Sequence, residues 1–159
     1  MITFGIDPGQ TGAIAVFQHS DLIAVHDMPV IGKRVDRHGV TTLVGSHYLG
    51  DRRIVLEDVS TRPGLSATAV LTTGINWGIV YACVTLWPTH VVTPQKWQPA
   101  IGCPKGLDRD ARKTWCRQRA TQLWPDFADR FARVKDDGRA DAALMAYAHI
   151  LGAVGEVAA

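Results

Sequence analysis

Between two apolar runs, Gly12–Gln18 (GAIAVFQ) and Asp21–Met28 (DLIAVHDM), the sequence leaves only His19 and Ser20. Two residues suffice for a tight hairpin and for nothing longer, so the runs are expected to pair antiparallel. The run before them, Ile2–Ile6 (ITFGI), is ended by Asp-Pro-Gly, a turn-forming triplet, and reads as a buried strand. A three-stranded antiparallel meander therefore opens the chain.

A fourth run, RRIVLED, carries Ile54, Val55 and Leu56 in succession. Unbroken apolar character belongs to a strand covered on both faces, as in parallel pairing. THVVTP gives a fifth strand. Between these two, Leu65–Leu86 contains neither proline nor charge, which predicts a long helix buried around most of its circumference. On that helix Ala67, Leu71, Gly74 and Gly78 recur at spacings of three and four and form the candidate dimer face. The sheet beneath the helix would explain the same residues. LDRDARKTWCRQRATQLWPDF predicts a basic amphipathic helix stopped by Pro125, and GRADAALMAYAHILGAV a final alanine-rich helix. VTTLVGSHYLG reads as a short helix and VIGKRVDRHG as a polar loop. No repeat or long linker interrupts the 159 residues, so a single domain spanning 1–159 is expected.

Charge and cysteine usage narrow the function classes. From Lys96 to Arg119 seven basic residues face only Asp108 and Asp110, a balance that suits an anionic partner or a solvated helix face. Cys83, Cys103 and Cys116 are widely spaced, form no Cys-x-x-Cys pair and are not joined by histidines at zinc-ligand spacing. They read as reduced thiols, and with no leader-like N-terminus a cytoplasmic location is expected. No apolar run approaches the ~20 residues of a bilayer span, so no membrane partner is expected.

The acids carry the chemistry. Asp7 ends the first strand and Glu57 the fourth; paired in parallel, the two strands lie ~4.8 Å apart and present both carboxylates at one rim. Charges that close repel unless a cation sits between them, and a hard, oxygen-seeking ion such as Mg²⁺ or Mn²⁺ is the natural occupant. Asp141 in the first turn of the last helix, and Asp137 four residues earlier, could lean over the same rim. Gly9 and Gly12 would keep the space above Asp7 open for a bulky anionic substrate. Taken singly, Asp7 is a turn former, Glu57 a strand-end acid, and Asp137 and Asp141 a cap and a complement to the helix dipole.

FGIDPGQTGAIAV, IVLEDV, TPQKWQ and DGRADAALMAYAH, in this order from Ile2 to about Leu151, resemble the RuvC-like Holliday-junction resolvases, with the divergent phage-type members nearest. The resemblance implies an α/β ribonuclease H-like fold: a mixed five-stranded sheet, three antiparallel strands and then parallel ones, flanked by helices. It implies a homodimeric, metal-dependent endonuclease of recombination and repair acting on branched DNA, with two Mg²⁺ ions per site for which Mn²⁺ substitutes. Asp7, Glu57 and Asp141 would be catalytic metal ligands. The usual fourth acid lies three residues before the last one, where this chain has Gly138, and Asp137 is its substitute. Asp136 would point about 140° away from Asp141 on a continued helix. Bacterial members carry a base-stacking phenylalanine after the strand-four glutamate; DVSTRPGL has no aromatic residue.

Lys96, Lys105, Arg109, Arg112 and Lys113 are the candidate DNA-binding residues, with Lys105 or Lys113 also placed to polarise the scissile phosphate. Trp97 and Trp115 suit either base stacking or the core. The competing readings are a related nuclease of flaps, hybrids or structured RNA, and a catalytically inactive junction-binding module.

Overall fold

The computed structural model of the chain describes residues 1–46, 51–59 and 64–154. The meander forms as its spacing requires: β1 (Ile2–Asp7) pairs antiparallel with β2 (Ala13–Gln18), and β2 with β3 (Asp21–Asp27). His19 turns the second hairpin with φ at 58°, the left-handed value that two-residue hairpins demand. β4 (Val30–Ile31) and β5 (Arg34–Val35) then make a small separate hairpin around Gly32, where the sequence predicted only a loop. Two residues per strand leave no periodicity to detect.

β6 (Arg52–Glu57) lies parallel to β1, and β7 (Thr89–Val92) parallel to β6, so the sheet order is β3-β2-β1-β6-β7. Phe4, Ile6, Ile14, Ile54 and Leu56 bury one face of this sheet; Ala15, Phe17, Val55, Trp97 and Leu144 help bury the other. α1 (Arg37–Gly45), capped by the Asp36 carboxylate, and α2 (Ala67–Val84), capped by Ser66, cover the first face. α1 starts three residues ahead of the predicted segment, whose end, residues 47–50, lies outside the described residues.

α3 (Pro94–Ala100) was not expected; proline at its first position and again at Pro99 obscures any helical pattern. α4 (Arg109–Leu123) is capped by Asp108 and ends before Pro125 as predicted. A 3₁₀ turn at Pro125–Phe127, the short α5 (Ala128–Phe131) and a 3₁₀ turn at Val134–Asp136 lead into α6 (Asp137–Ile150), which lies over β1 and β2. The close approach is possible because Gly5 lacks a side chain: a Cβ there would stand 2.1 Å from the carbonyl oxygen of Ala142. α6 begins at Asp137, so Asp141 lies one turn in rather than in the first turn.

α2 departs from its expected environment. Only Asn76, Val80, Cys83 and Val84 are buried, whereas Leu71 is 64 % exposed. Ala67, Gly74 and Gly78 are exposed too, and a Cβ at either glycine would meet nothing within 4 Å. Covering by its own sheet therefore does not explain the stripe. With 18 residues and a mean hydropathy of 1.4, α2 reaches the length and apolarity of a membrane span by composition alone, a test that a core helix also passes. Its inward face packs Val80, Cys83 and Val84 into the core and adds one polar contact, the Asn76 side-chain oxygen accepting from the Val35 amide at 3.2 Å.

Candidate active site

Parallel register between β1 and β6 places Ile6 beside Leu56, so Asp7 and Glu57 end neighbouring strands at the same rim. From the other side α6 brings Asp137 and Asp141, and α4 brings Arg109, Arg112 and Lys113. All seven line one cleft of about 200 Å³, together with Thr11, Pro94, Gln98 and Gly138. The convergence works because α6 starts against the turn after β1. A Cβ on Gly138 would lie 2.5 Å from the Thr11 carbonyl oxygen and 3.0 Å from Asp7 Oδ2. The position where the resemblance expects an acid thus has no room for any side chain, and Asp137 opens onto the cleft in its place.

Each acid has a distinct environment. Asp7 Oδ1 accepts from the Gly9 amide at 3.1 Å, so the turn-former reading holds alongside its place in the cleft. Gly12 does not serve to keep space open as expected: a Cβ there would meet the Asp7 carbonyl oxygen at 2.1 Å, and glycine is required by the turn itself. Glu57 Oε1 accepts from the Trp97 indole N–H at 3.2 Å, and the Glu57 carbonyl from the Trp77 indole at 3.0 Å. Trp97 is fully buried, which excludes base stacking and makes it the support of Glu57. Asp137 accepts from the Lys113 ammonium. Asp141 Oδ1 is buried with no hydrogen-bond partner among the described residues.

Burial dominates the electrostatics, with repulsion from neighbouring carboxylates adding to it. Burial pushes the Asp7 carboxyl up to about 6, the Gly9 amide opposing and Asp137 adding to the rise. Burial, then the charge of Asp7, pushes Asp141 up to about 7, with the Cys116 thiol holding it down in part. Burial and the adjacent Asp141 raise the Cys116 thiol well above its ordinary range. Lys113 favours the ionised forms of both aspartates.

Asp136 faces away from the cleft, buried against Arg133 and Arg139. Lys96 and Lys105 are exposed and do not line the cleft; Arg109, Arg112 and Lys113 do. Trp115 is half-buried against the core. Thr11, Gln98 and the two indoles on Glu57 were missed from the sequence, where only the position of Trp97 just after a strand marked it out. Ser60–Pro63, within the stretch that lacks the stacking aromatic, lie outside the described residues.

The donor set suits a hard divalent cation: all four acids offer oxygen, one buried oxygen is unsatisfied, and burial together with a neighbouring carboxylate raises two of the carboxyls. Among the described residues no three acidic, histidine or cysteine side chains are already spaced to hold an ion.

No protein-family model and no curated protein matches the sequence significantly. Solved structures do match. Thermus thermophilus RuvC in complex with a Holliday-junction substrate superposes with a TM-score of 0.70 at 14 % identity, covering 96 % of this chain and 94 % of that one. Thermus thermophilus RuvC by itself gives 0.63 at 15 % identity, covering 96 % and 95 %. The chain therefore has the fold of these RuvC structures, with the mixed sheet of three antiparallel strands and then parallel ones that its strand pattern predicts.

Proposed function

We propose that this chain is a metal-dependent, structure-selective endonuclease that resolves four-way DNA junctions by paired phosphodiester hydrolysis. The observation that carries the reading is the gathering of Asp7, Glu57, Asp137 and Asp141 beside Arg109, Arg112 and Lys113 in one cleft. The fold of a protein solved on a Holliday-junction substrate supports the substrate class. Asp7, Glu57, Asp137 and Asp141 are the residues that would hold Mg²⁺ or Mn²⁺, two ions per site. When bound, the ions supply activation of water and neutralisation of charge at the leaving 3′ oxygen, leaving 5′-phosphate and 3′-hydroxyl ends.

The chain's own residues have separable tasks. Arg109 and Arg112 grip phosphates flanking the scissile bond, and Lys113, once off Asp137, reaches the scissile phosphate. Lys96 and Lys105 extend the basic surface to phosphates farther along the duplex; such contacts position the substrate without reading its sequence. Trp97 fixes the Glu57 carboxylate. Two symmetric cuts require two clefts, and the uncovered stripe Ala67, Leu71, Gly74, Gly78 is the face on which two copies of this single nuclease domain, 1–159, would join. Free Cys83, Cys103 and Cys116 agree with a cytoplasmic enzyme.

Cleavage of a mobile four-way junction with Mg²⁺ or Mn²⁺, with cuts mapped on all strands beside a flap and an RNA–DNA hybrid, tests the reading. Paired symmetric nicks, lost in Asp7→Asn while junction binding persists, are expected. Preferred cleavage of flap or hybrid would move the substrate class. The second reading, a junction-binding module without catalysis, is favoured by the Lys113–Asp137 contact and would be upheld by binding without cleavage in either metal.

A further inference from the structure

α6 starts without a side-chain cap, directly from the 3₁₀ turn at Val134–Asp136. Its first residues nevertheless carry Asp137, Gly138 and Asp141 to the cleft, and while the buried alanine-rich face holds the body of the helix on the sheet, its first turn has further ties of its own. Gly138, seated on the Thr11–Gly12 turn, fixes its height above β1. Laterally, Arg139 ties its first turn to Asp27 at the end of β3. That guanidinium is only 9 % exposed and forks onto Asp27, with Nε to Oδ1 at 2.6 Å and Nη2 to Oδ2 at 2.7 Å. Nη1 donates to the Arg130 carbonyl at 3.3 Å and stands 3.4 Å from the buried Asp136.

Asp27 is a meaningful anchor because of the sheet register. Asp7 pairs with Ala13, and Ala13 with Asp27, so Asp27 lies on the same rim as Asp7, two strands away. Its side chain is 70 % exposed, so the charge attraction alone contributes little. The two-pronged geometry is what the pair supplies, since parallel N–H···O bonds fix both distance and angle.

We infer that Arg139, through its fork on Asp27, is a positioning residue that sets where α6 presents Asp137 and Asp141 to the cleft. The inference rests on the reading that these two acids work there. It adds to the cleft a support on the far side from Trp97, from residues that do not line the cleft.

Asp27→Ala and Arg139→Lys test it in the full chain; the first leaves Arg139 its Asp136 partner, and the second keeps the charge but loses the fork. Hydrogen exchange over 137–146 is expected to quicken severalfold in each variant while β1 and β6 stay protected. Half-saturation by Mn²⁺ should shift upward about 10–100-fold, and junction cleavage should fall by a similar factor in kcat with KM nearly unchanged. The double variant should be no worse than the poorer single one. Unchanged exchange in both folded variants, wild-type behaviour of Arg139→Lys, or losses that multiply in the double variant would each overturn the inference. If the wild-type chain neither binds Mn²⁺ nor cleaves, the functional reading falls, and the exchange comparison decides the positioning by itself.

Discussion

Asp141 concentrates the tension of the cleft: a buried carboxyl with one unsatisfied oxygen, facing the charge of Asp7. Both acids are held above the ordinary carboxylate value, to about 6 and about 7, so between about pH 4 and 7 the folded chain binds more protons than the unfolded one. Without metal, stability contributed by this pair therefore falls as pH rises through that window and levels off above it. Asp141→Asn, which cannot ionise, should flatten the fall and raise the melting temperature in chelator at pH 8, by about 2–4 °C for each kcal/mol recovered. The same variant should abolish metal-dependent cleavage. Thermal melts from pH 4 to 8 with chelator check the first outcome; a variant melting below wild type at pH 8 would show that repulsion is not what strains the site. Asp7 was legible as a site candidate because it ends a strand, and Asp141 because it lies near the start of the last helix. Their interaction was not legible, since the sequence paired Asp7 with Glu57, whose carboxylate is engaged by Trp97.

At the scale of elements, the seating of α6 on the sheet decides the cleft. Gly138→Ala would drive a Cβ to 2.5 Å from the Thr11 carbonyl oxygen and 2.9 Å from Gly12 Cα, both backbone atoms with nowhere to move. Overpacking of this kind costs about 1–3 kcal/mol, which urea denaturation would resolve, and the helix end should lift with loss of cleavage. α2 gives the opposite case. Its lack of charge pointed to burial, but a sequence cannot say whether an apolar face is covered by its own chain or by another. Leu71 is largely exposed, so Leu71→Arg should leave the melting temperature within a degree or two. If two copies join through this face, as proposed, the substitution should nonetheless shift a dimer to a monomer in sedimentation. A chain already monomeric before substitution would remove α2 as the dimer face.

For the whole molecule, the layered sheet sets a basic wall opposite an acidic floor. Arg109, Arg112 and Lys113 recur at helical spacing on the side of α4 that faces the acids, and the fold turns that periodicity into a lining. If Arg109 contacts a phosphate, Arg109→Ala should weaken junction binding about equally for all sequences. It should also reduce the slope of log affinity against log salt by about one. A titration at several salt concentrations reads both; an unchanged slope would place Arg109 off the DNA.

What the chain determines locally could be read in its residues: the two-residue hairpin, the continuous Ile54–Leu56 run of a strand buried on both sides, the Asp108 cap, the Pro125 stop. Each rests on contacts between near neighbours. Only the tertiary structure decided that Trp97 supports Glu57, that Lys113 holds Asp137, and that Arg139 reaches Asp27 from 112 positions away. These join elements whose meeting depends on how whole helices settle on the sheet. That settling is set by backbone approach at Gly5 and Gly138, a property of shape that residue pattern does not encode.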